Sequence, residues 1–179
     1  VSLPPSLTAI NDNAFNSCLI EEIEIPSSVN HIGNETFGLC SSLKRIEIPS
    51  SVTTINKRTF IKCTSLNEVV IPSSVKSFEN SSFSCCYSLE KITIHSHLVV
   101  IGESAFRNCT KLSKVDFADD SSLKRIEKTA FNGCSSLKEI IIPSSVTMLG
   151  DYSFAQCASL TSIKFQTPSS LNELGKCVF

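Results

Sequence analysis

Tryptophan is absent from these 179 residues, tyrosine occurs only as Tyr87 and Tyr152, and histidine only three times. Without Trp the chain lacks the large aromatic platforms on which sugars stack, which argues against a carbohydrate binder. An excess of charge of either sign is also missing. With 16 basic against 17 acidic residues, nothing electrostatic points to nucleic acid or an anionic membrane as partner. No apolar run approaches the roughly 20 residues that cross a bilayer, so no membrane insertion of this segment is expected. The motifs G-x-S-x-G, the P-loop and G-x-G-x-x-G do not occur. His95 and His97 could start a metal site, but no third ligand is placed to complete it, and they read as turn residues. Asp119-Asp120 reads as a solvated loop rather than a calcium site. No residue set for catalysis and no cofactor site emerges, so the chain is read as non-enzymatic. It also has no initiating Met and no signal peptide. It opens inside a repeat, at "VSLPPSLTAI", and is read as an excised fragment or a mature piece of its parent protein.

What the chain does have is one sentence written many times. Ser41 to Cys63, "SSLKRIEIPSSVTTINKRTFIKC", is followed by "TSLNEVVIPSSVKSFENSSFSCC". Phe15, Phe37, Phe60, Phe83, Phe106, Phe131, Phe154 and Phe179 fall 22, 23, 23, 23, 25, 23 and 25 residues apart. A cysteine stands three residues after each of the first seven. Phe117 and Phe165 fill the slot of Ile48, and Phe78 that of Ile55, so every Phe is on the template. The long steps, "DFADDSSLKRIE" at 116–127 and "KFQTPSSLNEL" at 164–174, each add two residues that belong in a surface loop.

The repeat reads L-x-x-I-x-I-P-S-S-V-x-x-I-G-x-x-A-F-x-x-C. Its L-x-x-I-x-I part ends in the alternation of a half-buried strand, and Pro-Ser follows as a turn. V-x-x-I suggests a second, shorter strand. The A-F-x-x-C piece is too short for a full helix and suits one turn of 3₁₀ or α. A 23-residue coil cannot bury its apolar positions alone, but stacked coils form a continuous core. About seven coils spaced as parallel strands make a rod roughly 35 Å long. The expected organisation is a single solenoid domain over residues 1–179 without clear caps.

Nine cysteines would suggest a disulfide framework in a small secreted chain. Seven share one slot, however, so their side chains point the same way in a column. A bridge needs Cβ atoms near 3.8 Å with turned vectors, and metal needs converging ligands. The reading is a buried thiol ladder, ahead of disulfides and metal. Cys85 and Cys177 lie in slots that are polar elsewhere and are the candidate exposed thiols. Three N-glycosylation sequons occur, at Asn34, Asn80 and Asn108. With 43 Ser or Thr among 179 residues, chance predicts between two and three, so they do not argue for export.

On "LKRIEIPSSVTTI" at 43–55, "LKEIIIPSSVTMLG" at 137–150 and "SAFRNC" at 104–109, the chain resembles the BspA-like (Treponema-type) leucine-rich repeat proteins over nearly its whole length. It departs from their pattern at His95-Ser96-His97 and in the two long coils. The resemblance implies a right-handed leucine-rich-repeat coil with a parallel sheet on one face and short second strands. It also implies a surface or secreted adhesin binding host extracellular-matrix or surface proteins; an intracellular, cytoplasmic scaffold is the alternative.

The candidate protein-binding face is the outward side of the long strands: Arg45, Glu47, Glu68, Val70, Lys91, Thr93, Lys114, Asp116, Glu139 and Ile141. The column Glu22, Arg45, Glu68, Lys91 is expected to pair opposite charges at every step, and Lys91 and Lys114 to repel. Val1, Leu3, Leu7 and Ile10 border one end of the stack, and Leu171, Leu174, Val178 and Phe179 the other. End-to-end self-association is therefore also expected.

Overall fold

A computed structural model describes all 179 residues. The alternation in each repeat yields two strands per coil. The long series is β3 (Arg45–Glu47), β5 (Glu68–Val70), β7 (Lys91–Ile94), β9 (Lys114–Phe117), β11 (Glu139–Ile142) and β13 (Ser162–Phe165). The short series has two residues per strand. It comprises β1 (Ala9–Ile10), β2 (His31–Ile32), β4 (Thr54–Ile55), β6 (Ser77–Phe78), β8 (Val100–Ile101), β10 (Arg125–Ile126), β12 (Met148–Leu149) and β14 (Glu173–Leu174). All pairs are parallel and strictly in repeat register, as in Ile46 opposite Val69 and Ile55 opposite Phe78. The result is a solenoid of about seven turns of roughly 23 residues.

Stacking puts each slot above its equivalent, and the core follows. The aromatic rings of the Phe column stack nearly parallel with centroids 5.2–5.7 Å apart from Phe15 to Phe179. Phe78 stands edge-on to Phe83 and Phe106. One apolar cluster, from Ile10 to Val178, runs the length of the rod.

The A-F-x-x-C segment forms no helix. It is a run of overlapping turns in which amide donors alternate. In coil three, Thr59, Ile61 and Cys63 donate to carbonyls three residues back, whereas Arg58, Phe60 and Lys62 donate to Asn80, Ser82 and Ser84 of the next coil. That alternation needs two left-handed residues per coil. Arg58 and Lys62 take them with φ of 56° and 57°, as do Glu35 and Leu39 one coil earlier. Helical φ is negative at every residue, so these positions rule a helix out.

The principal sheet is also not where the strand lengths suggest. The long strands form three separate pairs, β3–β5, β7–β9 and β11–β13. The continuous six-stranded ladder joins the two-residue strands β4 to β14. Serine explains part of the closure on that side. The second Ser of Pro-Ser-Ser donates to the coil before it: Ser74 Oγ to Val52 O at 2.7 Å, and Ser145 Oγ to Leu123 O at 2.8 Å. His97, in the same slot, places Nδ1 3.2 Å from Ser73 O. No helix of the chain is long and apolar enough to cross a membrane.

Candidate protein-interaction face

Inward residues of β3 to β11 pack in or against the core, whereas Ile163 and Phe165 of β13 stay exposed; the outward residues are free to face a partner. Arg45, Glu47, Glu68 and Val70 come together on the β3–β5 pair, and all four are exposed. Lys91, Thr93, Lys114 and Asp116 share the β7–β9 pair; Asp116 is half-buried and the others are exposed. Glu139 and Ile141 lie on β11, paired with Ser162 and Lys164 of β13. The ten residues therefore occupy three patches along one face, separated by seams where neighbouring strands do not bond. Val70 is 37% exposed in the β3–β5 patch, and the β11–β13 patch exposes Ile141 at 43% together with Ile163 and Phe165 of β13.

Ion pairs follow the strand pairs. Arg45 Nε lies 3.3 Å from Glu68 Oε2 within β3–β5, and Lys164 Nζ lies 3.7 Å from Glu139 Oε2 within β11–β13. The unbroken charge ladder expected from Glu22 to Lys91 does not form. Only its Arg45–Glu68 step is made, because Lys91 turns across its own pair to Asp116, away from Glu68 over the unpaired seam. The expected Lys91–Lys114 repulsion is answered by the same carboxylate. Asp116 Oδ2 takes Lys91 Nζ at 3.0 Å and Oδ1 takes Lys114 Nζ at 3.1 Å. Burial alone pushes the Asp116 carboxyl up, but the two ammonium groups outweigh it and leave it below its ordinary value.

Cysteine chemistry is separate from this face. All nine thiols are free, and Cys40, Cys63, Cys86, Cys109, Cys134 and Cys157 are buried in a column. Each buried thiol donates to the Phe carbonyl of the preceding coil, from Cys40 Sγ to Phe15 O at 3.0 Å through Cys157 Sγ to Phe131 O at 3.2 Å. Those carbonyls also accept the amide of their own coil's cysteine, so the thiol fills a second lone pair. Cys18, in the first coil, is half-buried. Of the two outward thiols, Cys177 is exposed and Cys85 is half-buried. No group of three His, Cys, Asp or Glu side chains lies close enough to hold a metal ion.

Two features of the face escape repeat-by-repeat reading. Asp116 looks like one more outward polar residue, yet it ties two lysines. An open groove also crosses the β9–β11 seam, lined by Lys114, Asp116, Asp119, Lys138, Ile141 and Gln166 among others. Asp119 and Gln166 come from the two-residue insertions, which were the available signal.

A family model described as a BspA type leucine rich repeat region matches in six copies, over residues 1–89 and 77–179. Among solved structures, a leucine-rich repeat protein from Bacteroides ovatus is 35% identical with a TM-score of 0.89, covering 98% of this chain and 47% of its own. A leucine rich cell surface protein from Faecalibacterium prausnitzii is 28% identical with a TM-score of 0.84, covering 93% and 47%. A leucine rich repeat protein from T. pallidum is 30% identical with a TM-score of 0.82, covering 90% and 77%. The chain thus spans about half the length of the first two. No curated protein matches.

Proposed function

The chain belongs to the BspA-type leucine-rich repeat family, and from that premise we propose that residues 1–179 act as one non-enzymatic protein-interaction domain of a surface or secreted protein. In this reading it is the repeat region of an adhesin that meets host or matrix proteins with the long-strand face. One observation carries the proposal: three exposed, charge-paired patches, two of them holding exposed apolar side chains, stand on a scaffold whose inward residues from β3 to β11 pack in or against one core. A mixed and extended surface of this kind suits a protein better than a small molecule, which needs a concave pocket. Exposed ion pairs add little to stability and are free to serve recognition. The neighbour described as a cell surface protein supports the location.

The test is binding to a panel of purified extracellular-matrix proteins by surface-attached interferometry. Arg45→Glu with Lys91→Glu is expected to abolish the response while lowering the melt only slightly, since the pairs lost are exposed. A response that survives both substitutions would remove the face from the proposal.

An intracellular scaffold is the second reading, and the exposed free thiol of Cys177 favours it, since a reducing compartment keeps such a thiol unoxidised. Locating the full-length protein by fractionation separates the two. Leu174 and Phe179 are 59% and 49% exposed at one end of the stack, so the 179-residue chain by itself is also expected to associate through its ends. Light scattering that reports a monomer at millimolar concentration would refute that.

A further inference from the structure

The repeat is interrupted at one place where interruption, exposed apolar surface and unpaired charge coincide. β9 and β11 follow each other in the stack without sharing a ladder. Along that seam runs the groove that holds Ile141, with half-buried Val115 and Phe117 beside it. Coils six and eight each carry two extra residues after the strand, whereas coil seven between them turns at once through Pro143-Ser144. Both longer loops reach the groove, one through Asp119 and the other through Gln166. Gln166 Oε1 accepts the Ser144 amide at 3.1 Å, which ties the coil-eight loop to the short turn of coil seven. Insertions in a solenoid commonly build such local walls on the binding face.

The charges around the groove are not equivalent. Lys114 is held by Asp116, and Glu139 lies near Lys164. Lys138 and Asp119 are exposed and take part in no ion pair. Lys138, the residue before β11, precedes Ile141 by three residues, at most about 10 Å along an extended chain. Asp119 lies beyond the opposite end, two residues after β9. The free cation, the exposed apolar side chain and the free carboxylate therefore follow one another along the strand direction.

We propose that the β9–β11 seam recognises an extended peptide segment of a partner protein, lying along the strands. An apolar side chain of the segment covers Ile141. An acidic side chain two or four residues to one side, on the same face of the extended segment, meets Lys138, and a basic one on the other side meets Asp119. An extended ligand advances at the same rise per residue as the strands beneath it, which is why these spacings carry over to its sequence. The apolar contact anchors the segment, and the two charges set its direction and register. The proposal rests on the reading that the long-strand face binds protein, and it places the contact at one seam of that face.

Random dodecapeptides displayed against the 179-residue chain, followed by fluorescence anisotropy of the recovered peptides, test it. The recovered peptides are expected to share an acidic residue, an apolar residue two or four positions away and a basic residue beyond. Ile141→Asp is expected to weaken them at least about tenfold. Lys138→Glu is expected to weaken them and to be rescued when the peptide's acidic residue is exchanged for Lys, a recovery that a merely structural role would not give. Each variant is checked for an unchanged melt. Failure to recover peptides, absence of the shared pattern, or full binding to Ile141→Asp overturns the proposal. Peptides lost on Val70→Asp instead would move the contact to β3–β5 and leave the broader reading standing; peptides indifferent to both substitutions would remove both. Self-association abolished by Ile141→Asp would identify a second copy as the occupant and overturn the peptide.

Discussion

Phe83 is fully buried, stacked between Phe60 and Phe106 at 5.2 Å on each side and met edge-on by Phe78. Removing its ring opens a cavity that neighbouring coils, fixed by their own ladders, cannot close. Phe83→Ala is therefore expected to cost about 3–5 kcal/mol in urea melts. Phe179→Ala removes a ring that is half exposed and stacked on one side only, and should cost far less. Equal losses would contradict the stacked core. Ser82 presents the opposite case. Its hydroxyl is buried without a hydrogen-bond partner, in a slot where coils five and six carry Ala105 and Ala130. Thr36 and Thr59, in the same slot, donate to Gly33 O and Asn56 O at 2.8 Å. Ser82→Ala should thus be neutral or stabilising by up to about 1 kcal/mol, whereas Thr59→Ala, which removes a satisfied donor, should destabilise. Thermal melts of the two variants side by side decide between these signs.

Strand by strand, one side chain explains where the short-strand ladder breaks. In most coils the residue after the short strand donates its backbone amide to the coil before, as Gly102 does to Phe78 O at 2.8 Å and Glu127 to Ile101 O at 2.9 Å. In coil three this residue is Asn56, and its side-chain Nδ2 makes the bond instead, to Ile32 O at 2.6 Å. The amide group wedges between coils, and β2 and β4 belong to different sheets as a result. Asn56→Ala and Asn56→Gly both remove this donor, and because Glu79 and Glu127 close the ladder with a side chain present, either variant should let the amide of residue 56 reach the Ile32 carbonyl. Both should therefore stay within about 1 kcal/mol of the parent chain. Amide exchange gives the sharper reading: the amide of residue 56 should gain protection in both variants. If it stays unprotected in both, the wedge is not what separates the strands.

Over the whole rod, the period, the aromatic column and the shared direction of the thiols were legible because one slot repeats many times and sterics leave a repeated slot one geometry. Three things were not. The left-handed turn residues include Glu35, Leu39, Arg58 and Tyr152, and glycine marks only Gly133, so composition gave no sign of them. The seams in the long-strand face depend on which of two neighbours a charge prefers; Lys91 chooses Asp116 over Glu68, and spacing alone cannot rank two nearby carboxylates. The groove depends on two insertions acting across an intervening coil, which no single repeat contains. The thiol column, by contrast, carries a consequence for the entire molecule. Burial pushes the Cys40 and Cys157 thiols up to about 11, and those between them higher still. The folded chain thus holds neutral thiols whose unfolded counterparts ionise near pH 8.5. Their contribution to stability is complete below that value and is lost as pH rises towards and through the folded values. Each fully buried thiol can tilt the balance by on the order of 1.4 kcal/mol per pH unit in that window. The urea midpoint should accordingly hold level up to about pH 8 and fall steeply between about pH 9 and 11. Cys86→Ala should be less stable at neutral pH, having lost the bond to Phe60 O, yet decline more gently with alkali. An alkaline limb of unchanged slope in that variant would show that the column does not govern it.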